Sequence, residues 1–302
     1  MPMPELSIII ISYNTSALTE KCLETVITSL TTNPGIQAEI IVFDNASNDG
    51  SIAMMKKFVK THTIPSSITF KPLYSDENIG FGNGNNQAVK QASGEYLLFL
   101  NSDTETLEDA IPNLLHSYKN SDFDFAGAKL LNTDNSVQLS VGRFYSLFIA
   151  FLALFTFADR WHATRYSPHD VRKVDWVSGA CFITRKSLYE KLQGFDPKIF
   201  MYWEEVDLFY RASKQGYSVG FFPKPTFIHH EGASSKNRSA PIIKVFEGYL
   251  TFYKKHHSPL QVRLLHYMLQ LKALCSLLIG KLTGNRYLVE TYSKAYEISK
   301  IT

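Results

Sequence analysis

"EYLLFLNSDTET", Glu95 to Thr106, decides the fold. An apolar run without polar alternation stops at Asn101-Ser102-Asp103, the form of a strand buried on both faces that delivers a carboxylate to its exposed tip. Two earlier runs have the same form. "LSIIIISYN" ends in Ser12-Tyr13-Asn14, and "AEIIVFDNASNDGS" ends in Asp44-Asn45 and a turn rich in Asn, Asp and Gly. Helical patterns lie between them, at Thr19 to Leu30 and in "SIAMMKKFVKTH". "SITFKPLYSDENIG" reads as a further strand with a loop, and "NGNNQAVKQASG" as a short helix that Gly94 can stop. Strands alternating with helices over the first hundred residues predict an α/β doubly wound sheet. Ligands of such sheets bind beyond the carboxyl ends of the strands, so three polar strand tips predict a site there.

Further along, "DFAGAKLL" and "WVSGACFITRK" have the pattern of strands and "KSLYEKLQGF" that of a helix. "EEVDLFYRASKQGY" predicts a helix with Asp207 and Arg211 four apart on one face. "SVGFFPKPTFIHHEGASS" reads as a strand leaving through a loop. From Lys244 onward the pattern is helical and amphipathic.

At 302 residues the chain can bury a large core, and 45% hydrophobic against 20% charged residues is the balance of a folded protein. The net charge of +3 is unevenly spread: from Lys236 onward 11 Lys/Arg face 3 Asp/Glu, a net +8. Such a segment suits an anionic neighbour. Its richness in Leu and Tyr favours a membrane surface over nucleic acid. Cys22, Cys181 and Cys275 are far apart and odd in number, which predicts no disulfide framework and a reducing cytoplasm. "MPMPELSIIII" lacks the basic stretch of a signal peptide. No uncharged apolar run reaches the roughly 18 residues of a membrane span; Phe144 to Ala158 is the nearest.

The order of "SIIIISYN", "IIVFDNASNDGS", "ENIGFGNGNNQAV", "LLFLNSD", "VSGACFITRK", "EEVDLFYRASKQGY" and "HHEGASS" resembles the family 2 glycosyltransferases, over Leu6 to Ser235. Within that family it is similar to the bacterial rhamnosyltransferase-like enzymes that build surface polysaccharide. The resemblance implies a glycosyltransferase A-type fold that binds a nucleotide-diphospho-sugar, an inverting reaction, and a divalent metal, Mg2+ or Mn2+. It divides the chain into a catalytic domain, 1–240, with a nucleotide-binding half (1–105) and an acceptor half (106–240), and a C-terminal amphipathic helical region, 241–302.

The resemblance also assigns residues. Asp44 would accept the imide N–H of uracil or thymine, with Ser12, Tyr13 and Asn14 at base or ribose; Asp49 and Ser51 read as turn and cap residues. Asn78, Gly80 and Asn85 would lie beside the sugar-nucleotide, the glycines Gly80, Gly82 and Gly84 permitting close backbone approach to a phosphate. Asn101-Ser102-Asp103 takes the place of the family's acidic metal motif, with Asn101 and Ser102 toward the donor and Asp103 as the motif's one anionic metal ligand. Glu205 is the expected general base, with Glu204 and Asp207 as alternatives. His229, or else His230, would approach the metal or diphosphate. Trp176, Gly179 and Ala180 would wall the acceptor side, and Trp203 would offer a sugar-stacking platform.

The function so implied is transfer of a sugar, L-rhamnose from dTDP-rhamnose first of all, to a glycan or lipid-linked glycan in O-antigen- or capsule-type synthesis. A UDP donor of galactose, glucose or N-acetylhexosamine is the alternative. The expected place is the cytoplasm, peripherally on the inner face of the membrane, with a homo-oligomer open. A sugar nucleotidyltransferase would open its first strand into a Gly- and Arg-rich loop, whereas "SYNTSALTEKC" has neither residue. A non-catalytic donor-binding subunit is the third reading, and the acids at 103, 205 and 207 speak against it.

Overall fold

A computed structural model of the chain describes residues 3–156, 158–230 and 239–300. Two compact units make it up: Met1–Gly142 with Tyr166–Phe200 and Glu204–Ser234, and Arg143–Arg165 with Met201–Trp203 and Ser235–Thr302.

In order, the elements are β1 (Leu6–Ser12), α1 (Ser16–Thr31), β2 (Ala38–Asp44), α2 (Ser51–Thr61), β3 (Ile68–Tyr74), α3 (Phe81–Val89), β4 (Tyr96–Asn101), β5 (Thr104–Thr106), α4 (Ala110–Lys119), β6 (Phe125–Leu131), β7 (Val137–Gln138) and β8 (Val141–Gly142). Then follow α5 (Leu147–Phe155), β9 (Arg165–Tyr166), β10 (Arg172–Val174), β11 (Trp176–Val177), β12 (Cys181–Arg185), α6 (Lys186–Lys191), α7 (Glu204–Lys214), β13 (Val219–His229), α8 (Ser239–His256), α9 (Pro259–Thr283) and α10 (Arg286–Ser299).

The main sheet of the first unit runs β10-β13-β6-β12-β4-β1-β2-β3. Four strands, β3, β2, β1 and β4, are parallel as the alternation of strands and helices predicts. Beyond β4 the sheet turns mixed, because β12 pairs antiparallel with both β4 and β6. Every residue of β1 and β2 is buried, which explains their unbroken apolar runs. Helix α1 turns Cys22, Leu23, Val26 and Leu30 onto this sheet at helical spacing. Full burial contributes about 1.5–3 kcal/mol per Ile or Leu.

Two sequence expectations change here. "WVSGACFITRK" is not one strand: β11 leaves the main sheet to pair with β8, and β12 begins after a bend at Ser178–Ala180. The bare Cα of Gly142 makes that possible, since a Cβ there would lie 2.1 Å from the Trp176 ring. Nor does Gly94 stop α3, which ends at Val89 with Lys90 as its cap. Gly94 instead lets the backbone pass β1, where a Cβ would meet the Ser7 nitrogen at 2.7 Å.

That crossing is held by Glu39, a fully buried carboxylate on β2. It accepts from the Ser7 hydroxyl at 2.5 Å and from the backbone N–H of Ser93 at 2.6 Å, and it pairs with Lys71 at 2.5 Å. Burial pushes its pKa up, but Lys71, Ser7 and Ser93 together outweigh burial and leave it lowered.

The second unit contains α5, α8, α9 and α10. Ser258 and Gln261 form a reciprocal capping box at the start of α9, and Gly284 ends the helix in the left-handed conformation at φ 67°. Helix α9 packs on α10 at Gly280, where a Cβ would lie 2.9 Å from the Leu288 Cβ. By length and composition alone α9 could cross a membrane. Phe144 to Ala158, the greasy stretch of the sequence, is mostly α5, with residue 157 outside the described residues.

Glu39→Ala strands the donors of Ser7, Ser93 and Gly94 and should cost about 2–3 kcal/mol, read as a fall in the urea midpoint. Because the folded pKa of Glu39 is lowered, its stabilisation is present above the ordinary carboxylate range and lost as pH falls through the folded value. Wild type should therefore lose more stability than Glu39→Gln on acidification, as checked by melting at pH 7 and pH 4.

Candidate active site

The tips of β1 and β2 are tied by asparagine and serine. Asn14, left-handed at φ 54°, donates its backbone N–H to the Ser47 hydroxyl at 2.9 Å and accepts from Asn48 N–H through its side chain at 2.8 Å. Tyr13, half-buried, lies at the same tip. Asp44 is fully buried, and one of its oxygens accepts from Ser47 N–H at 2.9 Å. Its other oxygen is buried with no partner among the described residues. A buried acceptor left unpaired costs about 1–3 kcal/mol, so this atom is suited to an incoming N–H donor. Asp49 caps two helices at once, accepting from Ser51 N–H at 3.1 Å and from Ser16 N–H, the first residue of α1, at 2.8 Å.

The Ser12 and Ser102 hydroxyls are taken up by threonines at the start of α1. The fully buried Ser12 hydroxyl lies 3.1 Å from that of Thr19, and the Ser102 hydroxyl 3.0 Å from that of Thr15. Successive strand residues point to opposite faces, and these two point toward α1.

The glycines after β3 are needed by protein neighbours. Gly80 has φ 84°, and a Cβ there would lie 2.4 Å from the Phe200 carbonyl oxygen. One on Gly82 would meet Phe195 at 3.1 Å, and one on Gly84 would meet Ile11 at 3.3 Å. Asn78 and Asn85 shape this segment from within: Asn78 accepts from Asn45 at 2.9 Å and from Gly80 N–H at 3.0 Å, and Asn85 donates to the Phe81 carbonyl at 3.0 Å.

At the tip of β4, Asp103 and His229 come together. The antiparallel pairing of β13 with β5 sets His229 opposite Thr104. The His229 Nε2 then lies 3.3 Å from the Asp103 carboxylate and 3.3 Å from the Asn101 amide nitrogen. Gln138 fixes the ring. Its amide nitrogen donates to Asn132 at 2.9 Å, so its oxygen faces His229 Nδ1 at 2.8 Å as an acceptor. Nδ1 therefore carries a proton and donates it to Gln138, which leaves Nε2 as the ring atom facing Asp103. The Asp103 carboxylate, His229 Nε2 and the Asn101 side chain, whose oxygen is buried and unpartnered, lie together here. An oxygen, a nitrogen and a second oxygen form a donor set that fits a divalent cation. His230 turns the other way and pairs with Glu105 at 2.7 Å, so His229 is the histidine at this tip. Among the described residues no group of three or more His, Cys, Asp or Glu lies together as a metal cluster.

The three acids of α7 have three environments. Tyr202 and Trp203, both left-handed at φ 63° and 75°, turn the chain into the helix at about 1–2 kcal/mol each. Glu204 is buried with one oxygen unpartnered; burial first, and then the charge of Glu205, push its pKa well above the ordinary range. Glu205 stands beside Gly179: a Cβ on Gly179 would lie 3.8 Å from the Glu205 carboxyl carbon and 3.7 Å from the Phe81 ring. Asp207, fully buried, pairs with Arg211 at 2.7 Å, and Arg211 also donates to the carbonyls of Leu192 and Gly194. That spacing of four works as expected, and it makes Asp207 a structural anchor.

The tryptophans are not platforms. Trp176 is 4% exposed and fills the space over Gly142. Trp203, 6% exposed, packs in the second unit on Tyr249 at 4.2 Å and Tyr145 at 4.7 Å, over a bare Gly248. Ala180 is buried, and its carbonyl accepts from Asn101 N–H at 3.0 Å. Of the expected acceptor wall, Gly179 adjoins Glu205.

Residues 7–207 match the family described as "Glycosyl transferase family 2". The chain belongs to that family. It is a glycosyltransferase of A-type fold, as the motif order implied. An O-antigen biosynthesis protein of Myxococcus xanthus is 26% identical over 222 residues, 70% of this chain, which spans 16% of that protein's length. An N-acetylglucosaminyl-diphospho-decaprenol L-rhamnosyltransferase of Mycobacterium tuberculosis is 27% identical over 236 residues, 70% of this chain and 73% of that protein. Among solved structures, a mannosyltransferase of Pyrobaculum calidifontis in complex with GDP-Man and Mn2+ has a TM-score of 0.58 at 15% identity. The match covers 97% of this chain and 74% of that one. A TarS structure from S. aureus has a TM-score of 0.54 at 14% identity, covering 97% and 90%.

Sequence reading of this transferase missed Gln138, and it named Asn45 only as a strand tip and Arg211 only as the helix partner of Asp207. Each acts by holding another residue: Asn45 ties β2 to the 78–80 loop, Gln138 sets the His229 tautomer, and Arg211 neutralises Asp207. Gln138 gave no sequence signal, since its partner lies 91 residues away.

Glu204→Gln should fold and be no less stable, because the native site prefers an uncharged side chain. Since the folded pKa of Glu204 is raised, wild type loses stability as pH rises from the ordinary carboxylate range through that folded value. Melting curves at pH 5 and pH 8 should therefore diverge less for Glu204→Gln than for wild type.

Proposed function

We propose that the chain is an inverting, metal-dependent transferase that moves a sugar from a nucleotide diphosphate to a glycan or lipid-linked glycan during cell-surface polysaccharide synthesis. The observation that carries this reading is the meeting of Asp103 and His229 Nε2, 3.3 Å apart at the tip of the central strand. The name of the mycobacterial relative favours L-rhamnose as the sugar, with dTDP-rhamnose as donor, over a UDP-linked hexose. The acceptor of the mycobacterial relative, a saccharide on a polyprenyl diphosphate by its name, suits a transferase working at the inner membrane face.

In this reading Asp44 holds the base through its unpaired oxygen, with Tyr13 and Asn14 beside base and ribose. Glu205 accepts the proton of the acceptor hydroxyl as its oxygen bonds to the anomeric carbon. The bond from that carbon to the phosphate oxygen breaks with inversion, and nucleoside diphosphate is released. Asp103 and His229, with Asn101, would hold Mg2+ or Mn2+, whose charge would balance that of the diphosphate. Buried, high-pKa Glu204 stays protonated and leaves Glu205 as the carboxylate at the helix start, where the dipole favours it. Gly179 keeps the space over Glu205 open for the acceptor, for neither packing nor backbone conformation requires glycine there.

Glu205→Ala should lower kcat by about 10²–10⁴-fold with donor affinity unchanged; near-normal turnover on a lipid-linked acceptor would reassign the base. Gly179→Ala should keep the fold, raise the acceptor KM and leave the donor KM as it is.

With one carboxylate in the metal motif, Mn2+ should bind the free chain weakly and tighten when nucleoside diphosphate is added, as read by calorimetry. Gln138→Ala, which frees the His229 ring, should weaken that ternary binding by about tenfold or more. Tight Mn2+ binding without nucleotide would contradict this role for Asn101.

A further inference from the structure

The solvent face of α9 is an apolar stripe. Leu260, Leu264, Tyr267, Leu271, Leu274 and Leu278 recur at alternating steps of four and three, each between 43% and 65% exposed. The stripe lies within the second unit, opposite the buried side formed by Leu265, Leu269, Ala273 and Gly280. Helix α5, which packs on α9, adds Phe148 at 67% and Phe151 at 46% exposure. Apolar side chains exposed in a continuous row mark an interaction surface, whereas scattered ones do not.

We propose that this stripe lies in the plane of an anionic phospholipid surface, with α9 as a docking helix. The inference rests on the membrane-face reading above and names the surface and the lipid chemistry that reading needs. Charge selects the partner. Helix α9 carries Arg263, Lys272 and Lys281 and no acid, within a segment of net +8. An interfacial helix combines an apolar face with such cations, which meet lipid phosphates at its margins. A second copy of the chain fits less well, because face-to-face packing of α9 sets like charges together.

A spanning helix fits less well too. The inner side of α9 is sealed by α10, with His266 Nδ1 bonded to the Ser299 carbonyl at 2.8 Å. Acyl chains would have to displace α10, or take up its exposed Glu290, Lys294 and Glu297. In the plane, only the stripe need be buried.

Cys275, exposed on α9, supplies the probe, since Cys22 and Cys181 are buried and burial pushes the thiol of Cys22 up to about 12. The full chain labelled there with an environment-sensitive fluorophore is mixed with phosphatidylglycerol or phosphatidylcholine vesicles, without donor or acceptor. Phosphatidylglycerol should bring co-sedimentation and a blue shift, with shallow and not mid-bilayer quenching by nitroxide lipids. The double variant Leu271→Glu/Leu278→Glu should keep the wild-type melting temperature and lose binding by more than about tenfold. Arg263→Gln and Lys281→Gln, which spare the stripe, should each weaken it about fivefold. Equal binding to both lipids would overturn the charge argument, and deep quenching would overturn the in-plane placement. Absence of binding, including a dimer that the double variant dissolves, would overturn the lipid partner altogether. None of these results touches the transfer chemistry, which nucleoside diphosphate release on a soluble acceptor tests separately.

Discussion

The pairing of β13 with β5 is the constraint on which the Asp103–His229 end of the candidate site depends. β5 has three residues, and β13 comes to it only because β6 holds β13 in parallel register inside the main sheet. That short ladder sets His229 opposite Thr104, bonds His230 N–H to the Asp103 carbonyl at 2.9 Å, and brings the Nε2 of His229 to the Asp103 carboxylate. Without it the β4 tip would hold one carboxylate and an amide, too few ligands for a divalent ion.

A second shell of polar residues makes the arrangement exact in chemistry as well as place. Gln138 settles which ring nitrogen of His229 carries the proton, and Asn132 settles which end of the Gln138 amide faces the ring. Arg211 does comparable work on α7, taking up the charge of Asp207 so that the acids of the first turn divide into three roles. Burial then separates Glu204 from Glu205, raising the pKa of the first and leaving the second beside Gly179. Neighbouring carboxyls whose environments differ in this way are how one helix start can hold both a neutral acid and a base.

The glycines illustrate how a correct motif can carry a different physical cause. Gly80, Gly82 and Gly84 do permit close approach, but the atoms approaching are the Phe200 carbonyl, Phe195 and Ile11. They dock α3 onto the sheet and onto the 195–200 segment that leads toward α7. The serines at 12 and 102 likewise sit at strand tips, yet their hydroxyls meet Thr19 and Thr15 at the start of α1.

The sequence by itself determined the parallel half of the sheet, since apolar runs without alternation fit only strands covered on both faces. It also placed Asp44, Asp103 and Glu205 at or beside the ends of their elements. The antiparallel entry of β12, the split of "WVSGACFITRK" and the burial of both tryptophans lay beyond it, because local pattern does not encode which strand a segment pairs with. The choice of His229 over His230 was decided in the same way. Adjacent residues on a strand point to opposite faces, and only the pairing of β13 with β5 says which face holds Asp103. The exposed stripe of α9 also needed the tertiary structure: its heptad-like leucines read as core or surface until α10 is seen to cover the other side.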